Sequence, residues 1–151
     1  MTIAVDFDGT IVEHAYPKIG KPIPFAIDVL KKLEHEEHHK LLLWTMREGK
    51  LLQEAIDYCE KNGLKFFAYN KNYPDEELEK GSPRKLGADM YIDDRNIGGL
   101  PDWGIIYQVI KSGNNSFQSM DYMMDDERPS GRKKNFFTRL GEVVDNANRR
   151  Y

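Results

Sequence analysis

Asp6 and Asp8 follow the apolar run Ile3-Ala4-Val5 and precede Gly9-Thr10, near the start of a 151-residue chain. A short apolar run reads as a buried strand, so the two carboxylates are delivered where that strand ends. Strand geometry would set them on one face, and Gly9 frees the backbone to turn away beneath them. Glycine at such a turn also places Gly9 among the residues expected to touch a substrate. A second pair, Asp93-Asp94, directly follows Met90-Tyr91-Ile92, and Thr45 ends the apolar run that begins at Lys40. Carboxylates gathered from the ends of two strands carry more negative charge than a protein leaves unpaired, so a cation is implied. Hard oxygen ligands select Mg²⁺ over zinc. Beside such a cation a carboxylate can attack phosphorus as a covalent nucleophile, a Lys and a Thr hydroxyl can hold the transferring oxygens, and a second Asp can move the proton.

The elements that must position these groups are legible in the periodicity. Phe25, Ala26, Val29, Leu30 and Leu33 repeat at helical spacing to about His35, with Pro24 suited to the first turn. Residues 40–45 form a second strand. Leu51, Leu52, Ala55, Ile56 and Cys59 mark a second helix closed by Gly63. Residues 66–69 read as strand three, residues 90–92 as strand four, and Ile105, Ile106, Val109 and Ile110 as a helix ended by Gly113. This alternation predicts an α/β fold: a three-layer, doubly wound, Rossmann-like parallel sheet with helices on both faces. Acids at the C-terminal ends of such strands stand where open α/β sheets bind ligands. Residues 13–24 form a loop or small flap over the first strand's end. A catalytic domain is expected over residues 1–111, a polar linker over 112–135, and an amphipathic helix over 136–151 that docks on the domain or forms an oligomer contact.

The composition fits one soluble domain, with 40% hydrophobic and 31% charged residues. Net charge is -3, which does not favour nucleic-acid binding. Apolar runs are too short for a membrane span, and Cys59 as the one cysteine excludes an internal disulfide, so a reducing cytoplasm suits the chain.

In these motifs and their order the chain resembles the haloacid dehalogenase superfamily of phosphohydrolases. DFDGT matches the first motif, LLLWT the second and MYIDD the fourth. The resemblance implies Asp6 as nucleophile, Asp8 as general acid/base, Thr45 as a phosphate ligand, and a Mg²⁺ site of Asp6, Asp94, Asp93 and the main-chain carbonyl of Asp8. Lys85 is the choice for the third motif's phosphate-binding lysine, with Lys71 and Lys80 as rivals, because Ser82-Pro83 looks like a helix start. Neither interval between motifs has room for a large cap domain, which implies a capless or minimally capped member whose open site takes a larger substrate or is covered by another subunit. The partner expected from the chemistry is a small phosphorylated substrate. The expected activity is phosphomonoester hydrolysis through an aspartyl-phosphate. Alternatives are a phosphoacceptor signalling domain, a non-catalytic phosphate-binding module, or a phosphotransferase to an acceptor other than water.

Arg47 and Arg95 are candidates to hold a distal anion of the substrate. Asn70, at the end of strand three, could contact the substrate or form a turn. His14 and Tyr16 could line the flap. His35, His38 and His39 have helical spacing that suits either a transition metal or, more simply, a solvated face. Cys59 and Trp44 read as packing residues.

Overall fold

Four short strands form one all-parallel sheet: β1 (Thr2–Val5), β2 (Lys40–Leu43), β3 (Ala68–Tyr69) and β4 (Met90–Ile92). The computed structural model describes residues 1–77 and 85–113. The strands lie in the order β3-β2-β1-β4. The chain therefore winds outward from β1 to β3 and then crosses back to add β4 on the other side of β1. Between β1 and β4 the winding reverses, and that is where a parallel α/β sheet opens a crevice at its C-terminal edge.

Side-chain alternation divides the sheet. Ile3, Val5, Leu41, Leu43 and Ile92 point to one face and join a core with helices α1 (Ala26–His35), α2 (Gly49–Lys61) and α3 (Trp103–Lys111). Right-handed crossovers put α1 and α2 on the same side of strands that progress in one direction. Leu42 and Ala68 point to the opposite face, where Leu86 and Trp44 pack on them. The structure is thus an α/β, Rossmann-like parallel sheet; helices were expected on both faces, and the three described helices pack on one. Lys80, the Ser82-Pro83 helix start, the C-terminal helix over 136–151, and all but Ser112 and Gly113 of the expected linker lie outside the described residues. Among the described residues no helix is long and apolar enough to cross a membrane.

Three element boundaries differ from expectation. Helix α1 begins at Ala26, because Phe25 takes a left-handed conformation (φ 65°) as its N-cap and turns its ring out to solvent, leaving Pro24 outside the helix. The second strand stops at Leu43, so Thr45 stands beyond the ladder. The third strand pairs only at Ala68–Tyr69.

The flap is held as a narrow hairpin. Glu13 N donates to Lys21 O at 2.8 Å and Ile23 N to Ile11 O at 3.0 Å. At Gly20 a Cβ would stand 1.9 Å from Glu13 O, so the two arms approach too closely for any side chain there.

Candidate active site

The sheet's C-terminal edge is drawn together by backbone bonds just past the strands. Asp6 N donates to Ile92 O (2.9 Å), Trp44 N to Val5 O (2.8 Å) and Asn70 N to Leu43 O (2.7 Å). These bonds bring residues after β1 and β4 side by side. Asp6, Asp93 and Asp94 then offer carboxylate oxygens that all lie within 4.8 Å of one another.

Each acid in this group has a distinct setting. Asp6 is half-buried and accepts a hydrogen bond from Thr10 Oγ1 at 3.4 Å. Asp93 accepts from the backbone N–H of Arg95 at 2.8 Å. Asp94 has one oxygen, Oδ2, 2.8 Å from His14 Nε2, while its Oδ1 is buried without a hydrogen-bond partner. A buried carboxylate oxygen with no donor is costly, and a cation among three carboxylates would satisfy it. Oxygen donors from three carboxylates suit a hard divalent ion such as Mg²⁺. Burial pushes the Asp6 carboxyl up to about 7; the Phe7 backbone N–H partly opposes this, and the charges of Asp93, Asp94 and Asp8 add to the rise.

That shift has a measurable consequence. Below pH 7 a proton on Asp6 competes with the cation, so Mg²⁺ affinity should rise by up to about tenfold per pH unit towards pH 7 and level off above it. Calorimetric titration at pH 6 and pH 8 measures this. The same shift means that the ion-free fold binds a proton that the unfolded chain releases between pH 3.8 and 7. Stability contributed by this group therefore falls as pH rises through that window, and added Mg²⁺ should raise Tm more at pH 8 than at pH 6.

Asp8 turns to a different partner. It is nearly buried, and Arg47 grips it with two charge-assisted bonds, Nε to Oδ2 at 2.6 Å and Nη2 to Oδ1 at 2.7 Å. The remaining Arg47 donors go to the flap, Nη1 to Pro17 O at 3.0 Å and Nη2 to Lys18 O at 2.8 Å. Its guanidinium also lies over the rings of Phe7 (5.1 Å) and Tyr16 (5.3 Å). Arg47 is thus fully buried rather than free at the rim to hold a substrate anion. The Asp8 side chain likewise stands outside the acidic triad.

Asn70, the other substrate-contact or turn candidate, bonds to the main chain of the second strand's loop. Its Oδ1 accepts from Thr45 N at 2.8 Å and its Nδ2 donates to Arg47 O at 3.1 Å. Held in a left-handed conformation (φ 51°), it pins the loop that carries Thr45 and Arg47. Thr45 Oγ1 accepts from Arg47 N at 3.3 Å, which leaves its hydroxyl proton to donate elsewhere.

Gly9 also works through geometry. Its N–H is spent on Val12 O at 2.6 Å, and its φ is +92°. A Cβ there would meet His14 Nε2 at 2.4 Å and Asp94 Oδ2 at 2.6 Å. Gly9→Ala should therefore displace both side chains, weaken cation binding and destabilise the fold by about 1–3 kcal/mol. Thermal melts with and without Mg²⁺ check both effects.

A cavity of about 420 Å³ opens over this edge, lined by Asp6, Asp8, His14, Tyr16, Trp44, Thr45, Met46, Asp93 and Arg95. Lys85 is not among these residues; it is exposed, with Nζ 4.8 Å from the ring of Tyr91, which packs on Trp44. Two contributors went unmarked in the sequence. Thr10, fully buried, bridges the two acidic strand ends by donating to Asp6 and accepting from Asp94 N at 3.1 Å. Trp103 Nε1 donates to Thr10 O at 3.2 Å and anchors that turn to α3. The Thr of DFDGT was visible, but its link to a strand 84 residues away was not.

Away from this edge the other candidates are inert. Among the described residues His35, His38 and His39 form no metal-ligand cluster, and the acidic triad is the sole such group. Cys59 is buried, and burial first, with the Glu60 charge adding, pushes its thiol up to about 12.

No protein-family model matches this chain, and no curated protein matches it. Among solved structures, a conserved protein from Bacteroides thetaiotaomicron is similar, with a TM-score of 0.72 and 59% sequence identity over 80% of this chain and 96% of that one. Identity at that level over nearly the whole of the other chain places this protein in the same family as the conserved Bacteroides protein.

Proposed function

We propose that the chain is a Mg²⁺-dependent phosphatase of the haloacid dehalogenase type, hydrolysing a small phosphomonoester through an aspartyl-phosphate on Asp6. The observation that carries this reading is the convergence of Asp6, Asp93 and Asp94 within 4.8 Å at the switch point of the sheet. Asp6, Asp8, Asp93 and Thr45 also line one cavity. Asp6, Asp93 and Asp94 would hold the cation, which when bound neutralises phosphoryl oxygens and keeps Asp6 ionised.

The residues of the chain then divide the reaction. Asp6 attacks phosphorus, forming an acyl-phosphate bond as the ester P–O bond breaks. As general acid, Asp8 gives a proton to the departing oxygen. Thr45 donates its hydroxyl to a phosphoryl oxygen. In the second half, water attacks phosphorus while Asp8 takes its proton, and the bond to Asp6 breaks to release inorganic phosphate. Both proton steps require Asp8 to turn an oxygen off Arg47, and the tie from Arg47 to Pro17 and Lys18 couples that movement to the flap. A buried, weakly acidic Cys59 and the absence of a membrane-crossing helix among the described residues are in keeping with a cytoplasmic setting.

One observation favours a second reading. With both Asp8 oxygens engaged by Arg47, a chain that accepts a phosphoryl group on Asp6 and releases it slowly would act as a phosphoacceptor. Hydrolysis of an aryl phosphate, followed with Mg²⁺ and after chelation, separates the two. Repeated turnover that stops on chelation supports the phosphatase. A single stoichiometric phosphorylation without turnover supports the acceptor.

A further inference from the structure

We infer that the cavity selects phosphomonoesters whose leaving group carries a flat aromatic ring, an inference that rests on the phosphatase reading above. The groups that would handle phosphate, Asp6, Asp8, Thr45 and Asp93, are buried or half-buried at the strand ends. Around them the exposed wall is made of Tyr16, Met46 and Arg95, with Trp44 half-buried beside them. Tyr16 is 52% exposed and Met46 is 67% exposed, so two large apolar groups face solvent at one cavity. Exposed apolar surface gathered at a concave site marks a place where a ligand is received.

Both rings are held despite their exposure to the cavity. Tyr16 lies 5.3 Å from the guanidinium of Arg47, itself fixed by Asp8 and two flap carbonyls. Trp44 meets the Tyr91 ring edge-on at 5.3 Å. Fixed aromatic faces and a polarizable thioether favour a planar partner, which they can stack against at little cost in side-chain freedom. Arg95 can lie against such a ring or pair with an anionic substituent. Beyond the phosphate-handling groups the lining side chains with a polar atom for a distal hydroxyl are His14, Tyr16, Arg95 and the indole N–H of Trp44. A polyol would set hydroxyls against the ring faces of Tyr16 and Trp44 and the thioether of Met46, which pair them poorly.

The test compares kcat/KM for phenyl phosphate, 1-naphthyl phosphate and adenosine 5′-monophosphate with that for glycerol phosphate and glucose 6-phosphate, at saturating Mg²⁺. Aromatic esters should be preferred by roughly tenfold or more, chiefly through KM. Aryl esters put the ring on the reacting oxygen and the nucleotide puts it a ribose away, so the better of the two tells where the ring sits. Tyr16→Ala and Met46→Ala should each narrow the aromatic-to-aliphatic ratio, and Tyr16→Phe, which keeps the ring, should preserve it. Equal or better use of glycerol phosphate, or variants that leave the ratio intact, would overturn the inference while the phosphatase reading stands. Binding to Asp6→Asn, followed by intrinsic tryptophan fluorescence with Trp44→Phe as the control that removes the cavity signal, gives the converse. If no ester is turned over by the wild type yet naphthyl phosphate quenches and glycerol phosphate does not bind, aromatic recognition holds and the phosphatase reading fails. If neither binds, both fail.

Discussion

Asp6→Asn is expected to lower Mg²⁺-dependent hydrolysis of an aryl phosphate by roughly 10⁴-fold or more, the scale of losing a covalent nucleophile. An amide is too weak a nucleophile to form the acyl-phosphate, and it removes one of three carboxylates from the cation group. The fold should survive. In the ion-free protein the Asp6 carboxyl is pushed up to about 7 by burial and by its acidic neighbours, so its ionisation opposes folding above that pH. Asparagine removes that opposition, and at pH 8 without divalent ions the variant should melt at the same temperature as wild type or higher. Lost activity with an undiminished Tm assigns the effect to chemistry.

The second large effect is on stability. Arg47→Met leaves the Asp8 carboxylate nearly buried and without its two charge-assisted bonds. Breaking a buried ion pair from one side costs about 3–5 kcal/mol, because the remaining charge is left unsolvated. Loss of the bonds to Pro17 and Lys18 adds to this by releasing the flap. A fall in Tm of roughly 10 °C is expected by calorimetry. The double variant Asp8→Asn/Arg47→Met should recover part of the loss, and a double-mutant cycle would measure the coupling. Additive losses would mean that the pair is not what holds this corner together.

What the sequence made legible follows from which interactions are local. Each acid of the triad lies directly after an apolar run, so strand periodicity alone put Asp6, Asp93 and Asp94 at strand ends, and the parallel order brought those ends together. Helices α2 and α3 were readable from their stripes and from Gly63 and Gly113, both in the positive-φ region just past the helix ends. Partner choice was not readable. Arg47 is 39 residues from Asp8, with Glu48 beside it in the chain, and nothing local distinguishes a rim arginine from a buried one. His14 reaches Asp94 across 80 residues because the flap folds back as a hairpin over Gly9, a geometry no period records. Asn70 was weighed as either substrate contact or turn former, and the left-handed backbone with both amide ends on the main chain made it a brace for Thr45.

Arg47 also bears on rate. If Asp8 must leave it to move protons, the flap sets how often that happens, and substitutions in residues 16–18 should alter kcat without touching the acidic triad. The most direct test of the whole account is the site of phosphorylation. The protein is mixed with Mg²⁺ and an aryl phosphate, quenched in acid within one turnover, digested, and its peptides are mapped by mass spectrometry. One hydroxylamine-sensitive phosphoryl group is expected on Asp6, lost in Asp6→Asn. Hydrolysis that proceeds with no phosphorylated peptide, or with the group on Asp8, would contradict it.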